Sequence, residues 1–440
     1  MSIRTAIALA LTACGTGAAA GDLPPPVTDD MYIDVARDEA KLGQLLFYDP
    51  VLSGNRNISC ATCHHPRFGT SDGLPLGIGE GGTGLGPERT VDAANAPEER
   101  VPRNAPALFN LGAHEFTRLF ADGRVEVDAS RPSGMRTPME DEMLAGFSGL
   151  LSAQTMFPVL SQDEMAGHYS ENDVAQAARQ GFITGPGGAW DRLAQRVSDI
   201  DAYRQRFEAV YPDIAAGRPV DFTDISNAIA AFMAWEWRSD DSPFDAHLRG
   251  DASLTGAALR GMELFYGDAG CGACHSGPFL TDHDFHAMGV PQIGPGKAAR
   301  FETHQRDVGR MRVTGREEDA YRFRTPSLRN VADTAPYGHT GAFSDLAAFV
   351  AHHADPAGTT FNLRAVGLPP GIGDGADFEL WSDPGERAAI LAAVTTAPVK
   401  LSETDVADLV AFLETLSDPV ALEGRLGVPD EVPSGLPVDR

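Results

Sequence analysis

Cysteine is scarce in this chain, with five among 440 residues. That excludes a small scaffold stapled by many disulfides. Basic residues are outnumbered, 35 Lys and Arg against 62 Asp and Glu, for a formal charge of -27. Such a balance argues against nucleic acid or anionic lipid as a partner. It leaves simple solubility, or a basic protein partner, as its meaning. Beyond the first residues no apolar run approaches the length of a membrane span. Hydrophobic content is ordinary at 42%, so a globular protein of two or three domains is expected.

The N-terminus reads as an export signal, residues 1–20. Arg4 precedes the apolar run Ile7 to Leu11, and small residues follow. Leu11-Thr12-Ala13-Cys14 is similar to a bacterial lipoprotein box, in which Cys14 becomes a lipid-anchored N-terminus. The alternative is cleavage near Ala18-Ala19-Ala20, which removes Cys14. Either way the periplasm is the expected location. Residues 21–34 are Pro-rich and read as a tether.

The other four cysteines form two C-x-x-C-H motifs, Cys60-Ala61-Thr62-Cys63-His64 and Cys271-Gly272-Ala273-Cys274-His275. This spacing lets two thiols add to the vinyl groups of one haem while the adjacent His reaches the iron. A zinc site would need further closely spaced ligands, and a redox dithiol would not need His after both pairs. Two covalently bound haem c groups are therefore expected.

The two halves echo each other. Leu46-Phe47-Tyr48 precedes the first motif and Leu264-Phe265-Tyr266 the second. Arg103 to Leu108 pairs with Arg324 to Leu328. The expected class is mainly α: two cytochrome c-like haem domains related by an internal repeat, with long loops, at residues 35–240 and 241–425, and a tail at 426–440. Residues 402–416 carry one apolar face behind Ser402 and Asp405, and residues 223–237 form a second apolar helix. Residues 69–100, rich in Gly and charge, read as a long functional loop.

These motifs, with Gln154 to Met165, Asp241 to Asp251 and Pro336 to Phe343, make the chain resemble the bacterial di-haem cytochrome c peroxidase / MauG family over residues 35–425. The resemblance implies a peroxidase that reduces hydrogen peroxide at the N-terminal haem and relays or stores electrons on the C-terminal one. It places Gln154, Pro158 and Glu164 over the open face of the first haem. Glu164 would be the acid/base that moves a proton between peroxide oxygens. Gln154 would hydrogen-bond the bound oxygen, and Pro158 would crowd the sixth position. Some relatives block this haem with a loop His. No His lies between His65 and His114 here, so an iron open in the oxidised state is expected.

For the second haem the family spacing beyond Pro336-Tyr337-Gly338-His339-Thr340-Gly341 lands on His353. Ser344 can cap a helix, and Leu346, Phe349, Val350 and His353 then share its apolar face. Met288, Met311 and His352 remain as alternatives. A His in place of the usual Met lowers the haem potential, which turns attention to MauG-like oxidation of a protein partner. Ala121 stands where the family's Phe-Trp-Asp-Gly-Arg motif has Trp, so the inter-haem route differs, and no Trp precedes Cys271. One calcium ion is implied at Asn104 and the backbone carbonyls of Thr334 and Pro336. The electron donor would be a small cytochrome c or cupredoxin, unless a protein substrate takes that place. A non-catalytic di-haem carrier is the third reading.

Overall fold

The computed structural model describes residues 23–297, 305–372 and 376–440. The expected signal and Cys14 lie outside them. Helices hold 41% of the chain, and strands are confined to three small antiparallel sheets, so the molecule is mainly α. No helix of the described residues is long and apolar enough to cross a membrane.

Six helices build the framework: α1 (Arg37–Tyr48), α2 (Leu150–Thr155), α3 (Phe222–Glu236), α4 (Gly256–Tyr266), α5 (Leu346–Ala354) and α6 (Glu403–Glu414). Helix α3 starts where Asp221 accepts from the backbone N–H groups of Thr223 and Asp224. Helix α6 starts at a reciprocal Ser402–Asp405 box. In both cases a short polar side chain satisfies amides that have no partner inside the helix. The cap of α5 corrects the sequence reading. Asp345, not Ser344, accepts from Ala348 N at 2.8 Å; the two candidates are adjacent, and only the backbone turn selects one.

Helix α1 packs on α3, and α4 packs on α6. Each crossing is made at a glycine. A Cβ on Gly43 would lie 1.8 Å from the Ala228 carbonyl, and one on Gly261 would lie 1.8 Å from that of Asp408. Around each crossing an aromatic trio repeats. Phe47 meets Phe232 at 5.3 Å and Tyr48 meets Phe232 at 6.1 Å; Phe265 meets Phe412 at 5.2 Å and Tyr266 meets Phe412 at 6.2 Å. These edge-on and tilted contacts suit the ring quadrupoles.

The larger core surrounds α1 and α3, and the smaller one holds Phe244, Phe265, Leu409 and Phe412. Residues 23–34 do not behave as the expected tether. Val27 and Tyr32 are buried in the larger core, and Tyr32 Oη donates to Asn110 Oδ1 at 2.9 Å. The chain's last segment also returns to this half. Ala421 and Val432 are buried there, Ser434 Oγ donates to Asp49, and Thr62 Oγ1 donates to Asp439.

Arg103 joins the halves. It forks onto both Asp307 oxygens at 2.7 and 2.8 Å and reaches Asp122 at 2.8 Å. Against the cost of burial, Arg103 and Arg124 hold Asp122 well below the usual carboxylate range. Arg310 on Glu126 and Arg100 on Asp377 add buried pairs across the same boundary.

Candidate haem and peroxide site

The first motif forms a single helical turn, Cys60–Cys63, closed at its start by a Ser59–Thr62 capping box. His64 follows at its end. Its Nδ1 lies 3.0 Å from the Thr70 carbonyl. A carbonyl only accepts, so Nδ1 carries the hydrogen and Nε2 keeps a lone pair for a metal. Neither thiol is in a disulfide. Burial pushes both Cys60 and Cys63 up to about 12.

The second motif repeats the arrangement on a tighter turn, Cys271–Ala273. His275 Nδ1 lies 3.2 Å from the Leu280 carbonyl, so Nε2 is again the free nitrogen. Burial, and then the nearness of His353, pull His275 down to about 4. His353 sits on α5 with Nδ1 2.9 Å from the Phe349 carbonyl one turn back, and its Nε2 is also left free. His352 is engaged elsewhere. Its Nε2 donates to the Met288 carbonyl at 2.8 Å, which leaves Nδ1, buried and without a partner, as its lone-pair nitrogen. Of the two adjacent imidazoles, His353 is the one that acts electrostatically on His275.

Among the described residues no imidazole acts electrostatically on His64 as His353 does on His275. The three residues expected over the first haem lie in one segment, with Gln154 at the end of α2, Pro158 opening a 3-10 turn, and Glu164 in the π-type turn Gln162–Ala166. Gln154 Oε1 is buried with no partner, as expected of an amide that awaits a ligand. The Glu164 charge acts on both His64 and Cys63. Its neighbour Asp163 is pushed up to about 6, by burial first and then by Glu99 and Glu164. His65 points away, taking Arg67 N on its Nδ1 and packing edge-on to Tyr48.

Asn104 donates from Nδ2 to the Pro336 carbonyl at 2.7 Å, while its Oδ1 is buried without a partner. A lone buried oxygen beside a carbonyl suits a hard cation. Cys274, Asp282 and His286 also cluster, around a sulfur that the C-x-x-C-H motif would give to the porphyrin.

Sequence reasoning missed two groups here: the buried Glu80, whose backbone N–H holds the Glu164 turn, and Lys297, held below its usual value by desolvation. Neither lies in a motif with chemical spacing, so only the folded chain reveals them.

Two C-x-x-C-H turns with their imidazoles, on a mainly helical frame, define a di-haem c-type oxidoreductase. A family model described as di-haem cytochrome c peroxidase matches residues 37–253. Methylamine utilization protein MauG of Methylorubrum extorquens is 29% identical over 390 residues, covering 88% of this chain and 80% of that protein. Cytochrome c551 peroxidase of Pseudomonas aeruginosa is 29% identical over 325 residues, 74% of each. The crystal structure of a MauG-like protein associated with microbial copper homeostasis matches with a TM-score of 0.56 at 27% identity, over 91% of this chain and 94% of that one. The chain belongs to the di-haem cytochrome c peroxidase family and is an enzyme of the peroxidase type.

Proposed function

We propose that this is an exported, periplasmic peroxidase that reduces hydrogen peroxide on its His64 side and exchanges electrons on its His275 side. One observation supports the reading: the Glu164 carboxyl group lies close enough to His64 to act on it electrostatically, where an imidazole, His353, acts in the same way on His275. When bound, the two haems supply an iron at which the O–O bond breaks and a store of electrons. Glu164 then takes the proton from the inner peroxide oxygen and delivers it to the outer one, the oxygen that leaves as water. Gln154 would donate its amide hydrogen to the peroxide held on this side, and Pro158 would limit the room for bulkier molecules beside it. Asn104, with the Thr334 and Pro336 carbonyls, holds calcium where the halves meet. The matched helix crossings support two haem domains related by an internal repeat. Cys14 is either the lipid attachment point or lost with the signal.

Glu164→Gln tests the reading. Peroxide consumption should slow by about 10²- to 10⁴-fold while haem content stays normal. Unchanged kinetics would sink it.

His353 favours a second reading, in which a low-potential second haem stores oxidising equivalents for a protein partner, as MauG-like chemistry requires. Adding peroxide to the oxidised protein separates the cases. A long-lived altered spectrum supports storage, rapid turnover with a reduced small cytochrome c or cupredoxin supports the peroxidase, and no reaction leaves an electron carrier.

A further inference from the structure

The turn that carries Glu164 is held from outside. Glu80 N–H donates to both the Asp163 and the Glu164 carbonyls, at 3.2 and 3.0 Å. Gly54 N–H donates to Met165 O at 2.8 Å, and Asn172 Nδ2 donates to Ala166 O at 2.9 Å. Two glycines permit this approach. A Cβ on Gly79 would lie 2.1 Å from Asp163 O, and one on Gly54 would lie 1.9 Å from Ala166 O.

The Glu80 side chain is as constrained as its backbone. The residue is 1% exposed. Its Oε1 accepts from three amides: Asn55 at 2.9 Å, Asn57 at 2.8 Å and Asn95 at 3.0 Å. Its Oε2 is buried with no partner, and no cation among the described residues pairs with it. A buried carboxylate compensated only by neutral amides is costly, and an apolar side chain would fill the space without that cost. What an apolar side chain lacks is an oxygen on which separate segments can converge. Asn57 stands three residues before Cys60, and Asn95 belongs to the loop 69–100. One residue thus joins the haem-attachment turn, that loop and the Glu164 turn.

We propose that Glu80 is a positioning residue for the peroxide reaction, fixing the separation between the Cys60–His64 turn and the Glu164 carboxyl group. The inference rests on the reading of Glu164 as the proton shuttle. Misplacing a reacting group by an ångström is enough to slow a reaction strongly, whereas binding of a ligand that needs no proton is indifferent to it.

The test is a double-mutant cycle on the holoprotein, read by the rate of the peroxide-induced optical change and by carbon monoxide binding to the reduced protein. Glu80→Ala should slow the peroxide reaction by about 10- to 100-fold and leave carbon monoxide binding unchanged. Glu80→Gln keeps an acceptor oxygen for the asparagines and should stay within about threefold of the parent. In a Glu164→Gln background Glu80→Ala should add nothing, because both changes act through one group. An unchanged rate in Glu80→Ala, or the same loss in both backgrounds, overturns the proposal. If Glu80→Ala does not fold, Asn95→Ala replaces it, with a smaller loss and the same dependence on Glu164. If Glu164→Gln alone has no effect, the proton-shuttle reading fails first and takes this inference with it.

Discussion

The two halves of this chain use one helix crossing and diverge above it. Gly43 on α1 and Gly261 on α4 admit the partner backbone at the same approach, and Phe232 and Phe412 take the same place against the paired aromatics. Both histidines that follow the cysteine pairs donate from Nδ1 to a carbonyl a few residues on. The difference lies on the opposite side. The candidate residue of the second half, His353, stands on a regular helix, while that of the first, Glu164, stands on a short turn held by other loops. Fixing an imidazole takes one helix. Holding a carboxyl group at a set distance takes several loops tied together.

The largest break in the comparison should come from His353→Ala. It should convert one of two haems from six-coordinate to five-coordinate in optical and EPR spectra, while His352→Ala leaves the spectrum alone. Loss of the same signal in His352→Ala would reverse the assignment. Next come the paired aromatics. Phe232→Ala and Phe412→Ala should each cost about 3–5 kcal/mol in denaturation, as large core truncations do. Similar losses would support equivalent crossings, and a small loss in one would show that its crossing is secondary. Gly43→Ala and Gly261→Ala should each cost roughly 1–3 kcal/mol by overpacking, with the cysteine-bound haem content retained.

The smallest effect is electrostatic and confined to the first half. Asp163 binds its proton more tightly when folded, at about 6, because burial first and then Glu99 and Glu164 oppose its charge; a free Asp titrates at about 4. The folded state holds the extra proton between these values, so stability falls as pH rises from about 4 to 6 and stays reduced above that. Asp163→Asn should therefore stabilise the protein by roughly 1–2 kcal/mol above pH 6, after discounting for partial exposure, and do nothing below pH 4. A stabilisation that does not vary with pH would remove the electrostatic account.

Much of the site could be read before folding because its chemistry is local. Two thiols and a His on one turn need only five consecutive residues. The apolar stripe on α5 points to His353 as the inward imidazole, yet it is His352, 2% exposed, that the fold buries. The box at Ser402 and Asp405 marks the start of α6. Other features escaped because they depend on contacts far apart in sequence. Residues 23–34 look like a tether until Tyr32 meets Asn110. The cap of α5 shifted from Ser344 to Asp345, since both can accept and only the entering backbone distinguishes them. The last residues seemed a simple tail, yet they pack on the first half.

From its residues alone the chain determined where porphyrin can be attached, which histidines follow each attachment, and where the main helices run, because those depend on near neighbours and on periodicity. Folding decided which imidazole nitrogen stays free, which half acquires a carboxyl group, and how Glu80 joins three loops. Each of these is a matter of distance between segments tens of residues apart, and such distances exist only once the core has closed.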